Sequence, residues 1–152
     1  MDVHSPRDEP IRFNRKRRKV YVYRVHEGWV FSRKAWGVRP VAFNWDDLRA
    51  EAWSRMGPGT VPIFAWGVDI AVVAPGTNHV IDRFQLAGSN ANGEHMWAMA
   101  RAFMNQGPEA LPTYPHPPRD WNNDVPWYNL ALRLAPRVQW PADMDRESRS
   151  AP

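Results

Sequence analysis

From residue 62 to residue 74 the chain alternates: Phe64, Trp66, Val68, Ile70 and Val72 are apolar, while Ala65, Gly67, Asp69 and Ala71 between them are small or polar. Successive side chains of a strand point to opposite faces, so this pattern predicts a strand with one wholly apolar side. Pro75, Gly76, Thr77 and Asn78 supply a turn, and 79–86 is expected to return as the partner strand. Shorter runs precede this hairpin. Residues 11–14 and 20–25 read as two strands, the second β-branched and aromatic at Val20, Tyr21, Val22 and Tyr23. A third strand is expected over 28–33, after the turn at His26, Glu27 and Gly28, and a fourth over 38–43.

The period then changes. In NWDDLRAEAW (44–53), Asn44 can cap a helix, Asp46 and Asp47 suit its positive end, and Leu48, Ala52 and Trp53 share a helical face. A short helix is expected there, stopped by Gly57-Pro58-Gly59. Met96, Trp97, Ala100, Phe103 and Met104 form a second helical stripe, with Asn92 as cap and Gly107-Pro108 as stop. Strands followed by a terminal amphipathic helix predict an α+β fold: a bent antiparallel sheet with the helix over one face or opening. The layout is similar to a pleckstrin-homology-like, partly open barrel, a likeness of topology that does not fix function. The expected organisation is an extended lead-in over 1–10 and an α+β domain over 11–107. A proline- and tryptophan-rich extension packing on that domain follows over 108–142, then a disordered tail over 143–152.

Composition narrows the classes. A chain of 152 residues suits one domain with a proper core. The absence of cysteine excludes disulfides, thiolate metal sites and cysteine nucleophiles. No run approaches the roughly 20 apolar residues of a spanning helix, and MDVHSPRDEP lacks the apolar core of a signal peptide. The chain is therefore expected to be soluble and cytoplasmic.

Charge is concentrated in one place. Arg12, Arg15, Lys16, Arg17, Arg18 and Lys19 are six cations on a chain whose formal net charge is +4, so the remainder carries 4 − 6 = −2. The cluster lies between two predicted strands, and its plainest role is a solvated hairpin tip. A phosphate contact, with nucleic acid or an anionic membrane surface, stays open beside it.

Catalytic chemistry is sparse. The histidines, His4, His26, His79, His95 and His116, show no metal-ligand spacing, so no metal or cofactor is expected. No serine sits in a Gly-x-Ser-x-Gly elbow. Asp69 and Asp82, on adjacent predicted strands, are the one carboxylate pair to consider for acid–base work, although each is more simply expected to face water or pair with an arginine such as Arg83. The chain is read as a non-enzyme. Trp121, Trp127, Tyr128 and Trp140 punctuate the proline-rich extension, too aromatic for a disordered segment. Trp121 and Trp127 are expected to pack on their own domain, and Trp140 to be the exposed anchor for a partner.

PRDEPIRFNRKRRKVYVYR, NWDDLRAEAW, VIDRFQLAG and MWAMARAFMNQGPEALP together resemble the DUF6708 family of bacterial proteins, over about residues 6–140. The resemblance implies an accessory or immunity protein encoded beside type VI secretion effectors. It also implies transmembrane helices in many members; this chain shows none, so the alternative expectation is the cytosolic part of a membrane-anchored protein. The expectation is a non-catalytic module binding a bacterial toxin, effector or secretion component through Arg15, Lys16, Arg17, Arg18 and Lys19 and through Trp121, Trp127, Tyr128 and Trp140. The alternative is a membrane- or nucleic-acid-associated regulator using the basic tip.

Overall fold

The computed structural model describes residues 10–26, 37–57, 63–87, 90–113, 115, 123–135 and 137–152. The strand expected over 28–33 and the site residue Trp121 lie outside them. In chain order the elements are β1 (Ile11–Asn14), β2 (Lys19–His26), β3 (Gly37–Asn44), a 3-10 turn (Trp45–Asp47), β4 (Leu48–Gly57), β5 (Ile63–Val73) and β6 (Val80–Ala87). The helices are α1 (Asn90–Gln106), α2 (Leu130–Leu134) and α3 (Ala142–Arg149). The fold is α+β, with two three-stranded antiparallel sheets, β1-β2-β3 and β4-β5-β6, that do not close into a barrel. One compact unit comprises Met1–Ala42 and Thr113–Pro152, the other Phe43–Pro112.

In the first unit β1 and β2 form the hairpin that flanks the basic run, with Ile11, Arg12, Phe13 and Asn14 opposite Val22, Tyr21, Val20 and Lys19. Its tip is a tight turn. The Asn14 carboxamide oxygen accepts the Arg17 N–H at 3.0 Å, the Arg18 N–H donates to the Arg15 carbonyl at 3.2 Å, and Arg18 takes a left-handed φ of 53°. Asparagine suits such a position because its short side chain mimics a backbone turn.

The tail is not disordered. Residues 142–149 form α3, with Asp143 and Asp145 in its first turn and Arg146 and Arg149 in its last, the order that complements the helix dipole. Arg146 pairs with Asp143, and Arg149 donates to Asp145 at 3.1 Å. Eight residues are too few for a helix stable by itself in water. Docking, which composition does not reveal, supplies the rest.

The second unit departs from expectation at its start. Residues 48–57 form no helix; only Trp45–Asp47 make a helical turn, and β4 then pairs with β5 over ten residues, Leu48 opposite Val72 through Gly57 opposite Ile63. The same letters that fit a helical face also alternate. Leu48, Ala50, Ala52, Ser54 and Met56 lie on one side, Arg49, Glu51, Trp53 and Arg55 on the other. A waiting partner strand decides between the two periods, because cross-strand packing outweighs weak local preference.

The strands expected over 62–74 and 79–86 are β5 and β6, joined through a turn with Gly76 at φ 72°. The long helix is α1, beginning two residues before the expected cap Asn92 and ending at Gln106, just before Gly107, whose φ is 110°. Leu48, Val68, Ile70, Val72, Phe84, Leu86, Ala100 and Met104 are buried, and α1 packs on β5 and β6. Phe43 stacks on Phe84 at 5.6 Å between ring centroids.

Helix and sheet meet closely at Gly93. A Cβ there would lie 2.4 Å from Val68 Cγ2 and 2.6 Å from Val68 Cβ. Glycine costs about 1 kcal/mol in a helix relative to alanine, so Gly93→Ala would stabilise an open site. Here overpacking of about 1–3 kcal/mol opposes it, against a branched side chain fixed to a central strand. We expect Gly93→Ala to lower the thermal midpoint; a raised midpoint would show that α1 can lift off Val68 freely.

Candidate functional site

Alternation along the first hairpin gives it two unlike faces. Ile11, Phe13, Val20 and Val22 share one. Arg12, Asn14, Lys19, Tyr21 and Tyr23 share the other, which is basic, amide-bearing and aromatic. The segment 139–151 covers this second face.

The contacts come from both flanks of α3 and from its end. The Arg12 guanidinium donates to Asp145 Oδ1 at 2.6 Å and to the Ser148 hydroxyl at 3.0 Å. Lys19 Nζ and the Tyr21 hydroxyl both donate to Glu147 Oε1, at 2.7 and 2.9 Å. Asp145 and Glu147 are two residues apart, so they leave opposite flanks of the helix, and each reaches a different strand. Helix carbonyls at the C-terminal turn have no partner within the helix. Here Asn14 Nδ2 shares its hydrogens among the carbonyls of Glu147, Ser148 and Ser150, at 3.3, 3.1 and 2.9 Å. Arg17 donates to the carbonyls of Ser150 at 3.1 Å and Ala151 at 2.7 Å. The hairpin tip thus does for α3 what a glycine cap does elsewhere, and it sets positive charge at the negative end of the dipole. Just before the helix, the Arg12 guanidinium carbon lies 4.5 Å from the Trp140 ring centroid, with Tyr23 edge-on at 5.3 Å. The Gln139 N–H donates to the Tyr23 hydroxyl at 3.1 Å.

These contacts bias protonation. Burial first, then the hydrogen bond to Glu147, push the Tyr21 hydroxyl up to about 12. Lys19 and then Tyr21 hold the Glu147 carboxyl below its ordinary range, and Arg12 does the same for Asp145. A raised tyrosine contributes its stability fully below its unfolded value of about 10 and loses it as pH rises toward 12. The depressed carboxyls contribute fully above their ordinary value of about 4 and lose it as pH falls through their folded values. In tyrosine-labelled protein followed by NMR, Tyr21 is expected to titrate near 12. Glu147→Gln should bring it partway back toward about 10, since burial remains. A Tyr21 that titrates at the ordinary value in the parent would mean that α3 is not docked.

The expectation of a hairpin tip standing wholly in water needs correction. Arg15 and Lys16 are exposed, but Arg17 and Lys19, with Arg12, hold the chain's own C-terminal segment. Arg18 is half-buried in the turn. The aromatic expectations reverse: Trp127, expected to pack, is 81% exposed, and Trp140, expected as the exposed anchor, packs on the hairpin. Tyr128 is 71% exposed and meets Trp127 edge-on at 6.0 Å.

Asp69 and Asp82 do not form a pair. Asp69 stands opposite Gln85 and Asp82 opposite Val72, so the two carboxylates leave opposite faces of the sheet. Asp69 accepts the Trp53 indole N–H at 2.9 Å, and Arg83 pairs with Glu51 at 2.8 Å. The Trp53 ring lies close over Gly67, where a Cβ would come within 2.7 Å of it. Among the described residues no group of histidine or carboxylate side chains could hold a metal ion, and no helix is long and apolar enough to cross a membrane.

Two features escaped the sequence reading. An open cleft of about 360 Å³ lies in the second unit, lined by Trp45, Leu48, Arg49, Trp97, Arg101 and Asn105. Its signal was Trp97, Arg101 and Asn105 at four-residue spacing on α1. The acceptors Asp145 and Glu147 were hidden in a segment that composition alone marks as unstructured. No curated protein and no solved structure matches the chain. The model of a family of unknown function, DUF6708, matches residues 1–130, which is most of the chain, and the protein belongs to that family.

Proposed function

We propose that this protein is a non-catalytic protein-binding module. The observation that carries the reading is an exposed apolar patch in the first unit: Trp127 and Tyr128, with Leu130 and Leu134 at 60% and 68% exposure one turn apart on α2. Tryptophan and tyrosine dominate binding hot spots because a large rigid side chain loses little entropy on docking. Four such residues held in water within eight positions suit a partner surface better than a monomer. Arg15 and Lys16, exposed at the hairpin tip, would add a cationic contact.

In keeping with the resemblance, the partner class we propose is a type VI secretion effector or component, with this chain as its immunity or accessory protein, acting in the cytoplasm. Such a protein needs a complementary surface and no reaction of its own. The alternative, a regulator using the basic tip on membrane or nucleic-acid phosphates, has fewer cations to draw on, because Arg12 and Lys19 are already ion-paired. The finer likeness to a pleckstrin-homology-like barrel rests on the order of strands and terminal helix alone.

The test is capture of a partner from the native cell by the full chain and by Trp127→Ala/Tyr128→Ala. The parent should retain a secretion-linked protein, and the variant should lose it with an unchanged thermal midpoint, since the removed rings are exposed. Equal retention by both would sink the patch as the binding surface.

A further inference from the structure

Several features of the hairpin face set it apart from ordinary internal packing. No residue of α3 is buried, so its docking is polar. The two ion pairs are half-open to water, with side chains 26–39% exposed, a setting in which salt screens charge and each pair contributes little. The hairpin nevertheless offers a complete set of donors for one kind of guest. Asn14 and Arg17 meet the carbonyls at and just beyond a helix C-terminus. Arg12 on β1 and Lys19 with Tyr21 on β2 meet carboxylates two residues apart. The face itself belongs to the family-matched residues 1–130, whereas α3 lies beyond them.

We propose that this hairpin face is a recognition site for the C-terminal turn of an acidic helix on a partner protein, and that α3 is a displaceable occupant supplied by the chain itself. The inference rests on the binding-module reading and adds the chemistry of the guest: a helix end carrying carboxylates at i and i+2 with its last carbonyls uncapped. The connection holding α3 in place makes it an intramolecular competitor, with an effective concentration on the order of millimolar. A partner helix therefore has to exceed that concentration in affinity terms, or bind first through another surface such as the Trp127 patch. Lower salt tightens the strap, and higher salt loosens it.

The experiment uses the full chain, isotope-labelled for NMR, and the unlabelled peptide PADMDRESRSAP of residues 141–152. In Asp145→Lys/Glu147→Lys, which reverses the strap's charges, the peptide should shift the Asn14, Lys19 and Tyr21 amides. Its apparent affinity should be at least about tenfold tighter than for the parent, whose site is occupied. Asp145→Asn/Glu147→Gln, which cannot repel the hairpin, should lie between. A peptide with the residues at 145 and 147 changed to lysine should bind none of them. Equal binding to parent and both variants, or binding to none, overturns the proposal. So does a response to phosphatidylserine vesicles in place of the peptide, which would make the guest a lipid surface. Capture of a partner that depends on Trp127 but not on Arg12 or Lys19 would leave the binding-module reading standing and remove this site from it.

Discussion

Ile70→Ala is expected to destabilise the unit Phe43–Pro112 by about 2–5 kcal/mol, and Ile70→Val by about 0.5–1.5 kcal/mol. Ile70 is 1% exposed and stands on the central strand between Ala50 of β4 and Phe84 of β6. Its neighbours on the same strand and face, Val68 and Val72, are buried too, and Phe84 is stacked on Phe43. A central strand cannot shift to fill a vacancy without breaking ladder hydrogen bonds on both sides, so the hole left by alanine stays largely open. Urea unfolding followed through the amide signals of residues 43–112 measures the loss. An alanine variant no weaker than the valine variant would show that the site collapses and that Ile70 does not anchor the core.

For Asn14→Ala the expected loss is about 1–3 kcal/mol, the range for leaving buried polar groups without partners, and it should fall on the first unit alone. Asn14 is 8% exposed, the buried polar residue among those described, and stands at the tip end of the hairpin face, opposite Lys19. Its carboxamide oxygen holds the turn through Arg17 N–H, and its amide group holds the carbonyls of Glu147, Ser148 and Ser150. Alanine breaks both ends at once. Asn14→Asp separates them, since a carboxylate keeps the turn contact but sets negative charge against three carbonyls. Hydrogen exchange over residues 142–149 should therefore rise in both variants, while the turn amide of Arg17 stays protected only in Asn14→Asp. If exchange in α3 is unchanged in Asn14→Ala, the helix is held by something other than this residue.

If the strap is displaceable, the two surfaces of the first unit have different tasks. In that arrangement the apolar patch at Trp127 and Leu134, exposed here, would give first contact. The hairpin face opens only to a guest able to replace α3. A module arranged this way rejects partners that carry the patch complement without the acidic helix end, because the hairpin then remains self-occupied. Specificity arises from a competitor built into the chain.

Much of the second unit was legible in the sequence because a single physical pattern dominated each element. Strict alternation over 64–72, a glycine-bearing turn and a helical stripe ending at Gly107 give β5, β6 and α1 without tertiary help. The basic hairpin was legible too, since a short run at 11–14 and the β-branched and aromatic residues Val20–Tyr23 bracket a charged turn. Where two periods fitted the same letters, as in LRAEAW, the sequence could not choose, and pairing with β5 decided. Charge was countable from the chain, but its destination was not. Arg12, Asn14, Lys19 and Tyr21 lie more than 120 residues from Asp145 and Glu147 in sequence, and no local rule connects them. Composition made 143–152 a polar tail, because an eight-residue helix is unstable by itself; the hairpin tip supplies the missing carbonyl partners and turns it into α3. Trp127 and Trp140 exchanged their expected roles for a related reason. Aromatic content tells how much surface needs a partner, while only the fold places Arg12 and Tyr23 beside one tryptophan and leaves the other in water.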